Sequence, residues 1–102
     1  MEKYDLRMLT SQDFAACKDE NFSVHLAPDM VITTKLIQVT EFKSFSPLER
    51  LPFSLVFKTV GTLNGFPQGM YVMENHTIGN LDVFLVPIGP DPDGMKYEAV
   101  FS

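Results

Sequence analysis

Residues 81–102 read LDVFLVPIGPDPDGMKYEAVFS, and their pattern decides the fold. Side chains on a strand alternate between its two faces. Leu81, Val83 and Leu85 therefore share one face, and Asp82, Phe84 and Val86 the other. Phe84, Val86 and Ile88 are apolar as well, so this strand carries apolar side chains on both faces. Pro87 has no N–H to give to a ladder, and it marks a bulge, a strand end or an edge. In the following turn, Pro90 and Pro92 hold φ at about −65°, the aspartates can close Asx turns, and Gly94 is suited to positive φ. The chain then resumes the two-residue period, with Tyr97, Ala99 and Phe101 on one face and Lys96, Glu98 and Val100 on the other. The reading is a hairpin whose second strand gives Tyr97, Ala99 and Phe101 to the core. It leaves Phe84, Val86 and Ile88 in need of cover. The expected cover is intramolecular, from an N-terminal helix bearing Phe14 or from another strand. The alternative is a neighbouring subunit.

The same period extends backwards from this hairpin. TIGN, before Leu81, is a tight hairpin loop with Gly79 at a positive-φ position, and residues 70–76 form the strand leading into it. Residues 53–60, FSLVFKTV, alternate cleanly, with Phe53, Leu55 and Phe57 on one face. Residues 30–42 are long and β-branched, and the adjacent apolar pair Leu36 and Ile37 calls for a bulge or for burial on both faces. Phe22, Val24 and Leu26 define a further strand over 21–26. Ahead of it, Thr10 or Ser11 is placed to cap a short helix over 11–18, with Asp13 in its first turn and Phe14 and Cys17 on one face. Residues 1–9 are a lead-in, and 10–102 form a single β domain. The expected fold is all-β: about six mainly antiparallel strands in a small sandwich or partly closed barrel, with one short N-terminal helix.

The chain has 102 residues, 45% of them hydrophobic, including nine Phe, which suffices for a core and excludes disorder. Its net charge is −5. The basic residues Lys3, Arg7, Lys18, Lys35, Lys43, Arg50, Lys58 and Lys96 are scattered along the sequence. That spacing argues against a phosphate-neutralising stripe, hence against nucleic acid or an anionic membrane as partner. No stretch approaches the ~20 apolar residues of a membrane-spanning helix. The N-terminus has no signal-peptide pattern, so a cytoplasmic site of synthesis is expected, with later incorporation into an exported or surface assembly left open. Cys17 is the single cysteine, which fits a reduced thiol rather than a disulfide framework.

No nucleophile motif surrounds Cys17, which shares a face with Phe14 and reads as a small core hydrophobe. His25 and His76 have no closely spaced ligands for a metal, and both read as solvated. Asp91 and Asp93 resemble a fragment of a calcium loop but lack its remaining oxygen donors, and turn chemistry explains them. Asp82 and Glu98 lie on neighbouring strands without an evident cleft. No catalytic, cofactor-binding or metal-ligating residues are expected, and no cofactor.

A resemblance appears along Leu9-Thr10, Asp13-Phe14, Phe53-Ser54-Leu55, Gln68-Gly69 with Tyr71, Phe84 to Asp91, and Gly94-Met95 followed by Tyr97 to Phe101. This set resembles a family of small bacterial proteins defined only as a domain of unknown function, whose members lie near phage-tail-collar-like fibre proteins. The resemblance covers most of the chain and brings no catalytic residues. It implies a component or accessory of a tail- or fibre-like bacterial assembly. The function expected is therefore a non-enzymatic binding or assembly module, contacting a protein partner or itself. The contact candidates are Phe45, Leu48, Leu63, Phe66, Phe84, Val86 and Ile88. A small ligand-binding barrel or an enzyme accessory domain is the alternative.

Overall fold

In the computed structural model, residues 9–42, 52–61 and 65–101 are described. The chain begins with a helix, α1 (Ser11–Ala15), whose entry follows from Thr10 and Asp13. The Thr10 hydroxyl accepts from the Asp13 N–H, and the Asp13 carboxylate accepts from the Thr10 N–H at 2.8 Å. This reciprocal cap satisfies two of the backbone donors that a helix start leaves open. The helix is shorter than the sequence suggests. Beyond Ala15 the chain tightens into three-residue turns, with the Cys17 and Lys18 N–H groups reaching the Phe14 and Ala15 carbonyls. It then reverses at Asp19, which takes φ 70°. The Asp19 N–H donates to the Leu36 carbonyl at 2.7 Å, and the Leu36 N–H to the Glu20 carbonyl at 3.1 Å. Tertiary hydrogen bonds to the neighbouring strand thus end the helix.

Six strands follow: β1 (Asn21–Ala27), β2 (Met30–Glu41), β3 (Phe53–Thr59), β4 (Gly69–Asn75), β5 (Gly79–Asp91) and β6 (Gly94–Phe101). Every pairing is antiparallel, and the order β1-β2-β3-β6-β5-β4 closes with β4 against β1 into a barrel. The expected all-β fold of six antiparallel strands with one short helix is present; of the sandwich and the barrel the molecule takes the barrel, and the sixth seam closes it. That seam is the shortest, holding only Ser23↔Glu74, Val24↔Met73 and His25↔Val72. Both expected irregularities are present. The β2–β3 register shifts between Leu36 and Gln38, leaving Ile37 as the extra residue. The β5–β6 register shifts between Pro87 and Gly89, with Gly89 at φ 141°. A bulge is where a strand proline without its N–H can be accommodated.

The inner faces are those read from the alternation. Phe53, Leu55 and Phe57 of β3, Leu81, Val83 and Leu85 of β5, and Tyr97, Ala99 and Phe101 of β6 are all buried. They join Phe22, Val24, Leu36 and Met73 in one core. Aromatic residues from outside the strands close both ends. At one end Phe14 of α1 lies 5.7 Å from Phe53 and 5.3 Å from Phe101, which stack on each other at 4.8 Å. At the other end Phe66, from the β3–β4 connection, stacks on Tyr97 at 4.0 Å with the rings 3° apart, and meets Tyr71 edge-on. The Tyr97 hydroxyl donates to the Phe66 carbonyl at 2.6 Å and accepts from the Phe66 N–H. A Cβ on Gly65 would come within 2.5 Å of that hydroxyl, so this clamp needs glycine there.

Two expectations are corrected. Phe66 is a core plug, only 7% exposed, and not a surface contact, because its stack on Tyr97 buries it. Among the described residues, Phe84 and Ile88 are only about half covered. They remain 48% and 46% exposed, because α1 lies across the end of the barrel where Phe53 and Phe101 meet, far from the outer face of β5.

Candidate functional site

The densest polar cluster lies at the α1 end and forms around Asn75, the last residue of β4. Asn75 is buried. Its Oδ1 accepts from the Thr77 and Ile78 N–H groups at 2.9 and 3.0 Å, which shapes the turn into Gly79. Its Nδ2 donates to the Glu20 Oε1 at 3.2 Å and to the Asn21 carbonyl at 3.0 Å. The Cys17 Sγ lies 3.8 Å from Asn75 Oδ1, Thr77 donates to Glu20, and His76 Nε2 is 3.8 Å from Glu20 Oε1. Cysteine, histidine, asparagine and glutamate thus meet in space though they are distant in sequence. Burial first, and then the Glu20 carboxylate, push the Cys17 thiol above its ordinary pKa, the reverse of what a nucleophile needs. The same cluster holds the Glu20 carboxyl below its ordinary value, chiefly through the Asn75 amide and also through His76 and Thr77. The amide at Asn75 ties the end of β4 to the start of β1, next to the shortest seam.

His25 is half-buried, with Nε2 3.3 Å from Glu74 Oε1, diagonally across that seam, since His25 pairs with Val72 and Glu74 with Ser23. Its side chain is 37% exposed and that of His76 76% exposed, so both histidines reach solvent as expected. Among the described residues, no group of three or more His, Cys, Asp or Glu is placed to hold a metal ion. No helix among them is long and apolar enough to cross a membrane.

At the opposite end, the Asp91–Gly94 turn behaves as turn chemistry. The Asp91 carboxylate accepts from the Asp93 N–H at 3.0 Å, an Asx turn that lowers the Asp91 pKa, with Lys58 contributing. Positive φ falls at Gly89 in the bulge, and not at Gly94 as expected. The turn has a second role that was not foreseen. Lys58 Nζ lies 3.6 Å from Asp91 and 3.8 Å from Asp93. Lys58 pairs in register with Lys35 on one side and Lys96 on the other. Three lysines that are scattered in sequence therefore form one cross-strand row, and the acidic turn supplies charge against its centre. Like charges directly opposite on a sheet are destabilising, which gives the aspartates a physical purpose.

The outer face of β4, β5 and β6 is the remaining feature. Met70 pairs with Phe84. The β5–β6 register ends at Val86↔Glu98; continued by two residues, it sets Val100 opposite Phe84. Met70, Phe84 and Val100 are 63%, 48% and 61% exposed, and Ile88 is 46% exposed. Half-buried Val86 continues the patch along β5. Of the contact candidates, Phe84, Val86 and Ile88 are therefore brought onto one surface, Phe66 is inside, and Phe45, Leu48 and Leu63 lie outside the described residues. Met70 and Val100 escaped the sequence reading. The alternation set Val100 on the face opposite Tyr97, Ala99 and Phe101, whereas only the pairing of β4 with β5 brings Met70 beside Phe84. Asp82 and Glu98 stand on this same outer face, paired with Val72 and Val86 rather than with each other. A separate open groove of about 370 Å³ runs between α1 and β2, lined by Ser11, Gln12, Ala15, Lys18, Gln38, Val39 and Glu41. Among the described residues, the Ser11 hydroxyl bridges it by donating to the Glu41 carboxylate at 2.9 Å.

These features define a small, closed, six-stranded antiparallel barrel with plugged ends and an exposed apolar outer face. The chain belongs to the family described as domain of unknown function DUF6916, whose pattern matches residues 9–101. No curated protein matches it, and no solved structure does.

Proposed function

We propose that this domain is a non-enzymatic protein-binding or assembly module that acts through the outer face of β4, β5 and β6. The observation that supports this reading is the exposed row Met70–Phe84–Val100 with Val86 and Ile88 beside it. Singly exposed apolar residues are ordinary on a protein surface, whereas a contiguous group of this kind is characteristic of a contact site. The interior supports the same reading. It is filled by aromatic and aliphatic side chains that plug both ends, so the surface is the better place for recognition. The resemblance to small bacterial proteins near tail-collar-like fibres favours a component or accessory of a tail- or fibre-like assembly. Affinity capture from the native host, comparing the natural chain with Phe84→Asp, tests the proposal. Loss of the captured partner by a variant that keeps its circular-dichroism spectrum and melting temperature is the expected result. Equal capture by both would remove the outer face from consideration.

A further inference from the structure

We infer that Met70 is a reversible oxidation site whose sulfoxide switches off the outer face of β4, β5 and β6, an inference that rests on the protein-binding reading above. Among the described residues Met70 is the most exposed large apolar side chain, at 63%. Three residues further along the same strand, Met73 is buried completely in the core. Met95 is half-buried and packs against that core. Met30 is exposed, but it stands at the start of β2, which borders β1 and β3 and none of β4, β5 and β6. Met1 and Met8 lie outside the described residues. An oxidant arriving from solvent therefore finds, among the described residues, one fully accessible thioether on the proposed contact face. The single cysteine does not compete for it. Cys17 is buried, and its thiol is pushed above the ordinary range, whereas peroxides react with thiolates.

Met70 pairs in register with Phe84 on β5. Directly opposite residues on one face of a sheet hold their Cβ atoms about 4.5–5.5 Å apart, so a change at Met70 acts beside that ring. Hydrogen peroxide supplies the chemistry. A lone pair on the Met70 sulfur attacks one peroxide oxygen, the O–O bond breaks, an S–O bond forms and water leaves. The sulfur gives up two electrons and the peroxide takes them. The product is a polar sulfoxide in place of a flexible apolar side chain, and methionine sulfoxide reductases reverse the change. In the free chain the new oxygen is hydrated, so the fold tolerates it. Under a partner it loses that water, and burying such an acceptor without a donor is costly.

Peroxide treatment of the purified chain tests this. The peroxide is quenched, peptide mass mapping follows the methionines, and the treated chain is then used in the capture from the native host. Met70 is expected to gain one oxygen well before Met73 and Met95. The oxidised chain should keep its circular-dichroism spectrum and melting temperature and capture roughly tenfold less partner. Treatment with methionine sulfoxide reductase should restore capture, and Met70→Leu should capture equally before and after peroxide. Oxidation of Met70 no faster than that of buried Met73 overturns the inference. So does undiminished capture by the oxidised natural chain, or a Met70→Leu chain that still loses capture on oxidation. Capture abolished by Phe84→Asp but kept by the oxidised chain overturns the oxidation switch alone and leaves the protein-binding reading standing. Capture unaffected by Phe84→Asp overturns both.

Discussion

Asn75 and Phe84 show how differently two outwardly similar positions behave. Asn75 is a polar residue at a strand end, where exposure is the default, yet it is buried and bonded through both amide atoms. Asn75→Ala leaves the Thr77 and Ile78 N–H groups and the Asn21 carbonyl without these partners. Chemical denaturation should show a loss of about 2–3 kcal/mol, the scale of stranded buried polar groups. Phe84→Ser, by contrast, removes an exposed ring and should change stability by less than about 0.5 kcal/mol. Two carboxylates carry a pH prediction. Glu20 is held low chiefly by Asn75, and Asp91 chiefly by the Asp93 N–H. A depressed folded pKa contributes stability above the unfolded value of about 4, and that contribution is lost as pH falls through the folded value. Melting temperature should therefore drop as pH is lowered below about 4, and Glu20→Gln should flatten part of that slope. A slope unchanged by Glu20→Gln would assign the acid sensitivity elsewhere.

Among the elements, the barrel is unevenly fastened. The β1–β4 seam has three register pairs, whereas β4–β5 has seven. His25 with Glu74 and the Asn75–Glu20 group compensate at one end of that seam. Hydrogen exchange should show the backbone of β1 and β4 opening at lower free energy than that of β3 and β6, which lie at the centre of the core. His25→Ala should widen this difference more than His76→Ala, whose ring is largely exposed. The helix shows what local signals can and cannot fix. Its start was legible in Thr10 and Asp13, because a cap is a contact between near neighbours. Its end was not, because the turn at Asp19 is held across the β1–β2 region by the Asp19 N–H donating to the Leu36 carbonyl and the Leu36 N–H donating to the Glu20 carbonyl.

At the scale of the whole molecule, two aromatic plugs hold one barrel shut. Phe101→Ala removes a ring that stacks on Phe53 and touches Phe14, and should cost about 3–5 kcal/mol in thermal or chemical unfolding, as buried phenylalanine truncations do. A change near zero would mean that the last strand does not close the barrel. The sequence by itself determined the strand content and the inner faces, flagged Leu36–Ile37 and Pro87 as irregular positions, and placed the capped helix start at Thr10 or Ser11. Each of these follows from alternation or from the backbone limits of a single residue, which are local properties. Tertiary structure alone decided that the sixth seam closes, that Phe66 turns inward under Tyr97, that Lys35, Lys58 and Lys96 share a row, and that Met70, Phe84 and Val100 stand side by side. Those facts depend on which strands become neighbours, and a two-residue period gives the face of each side chain without naming the strand beside it.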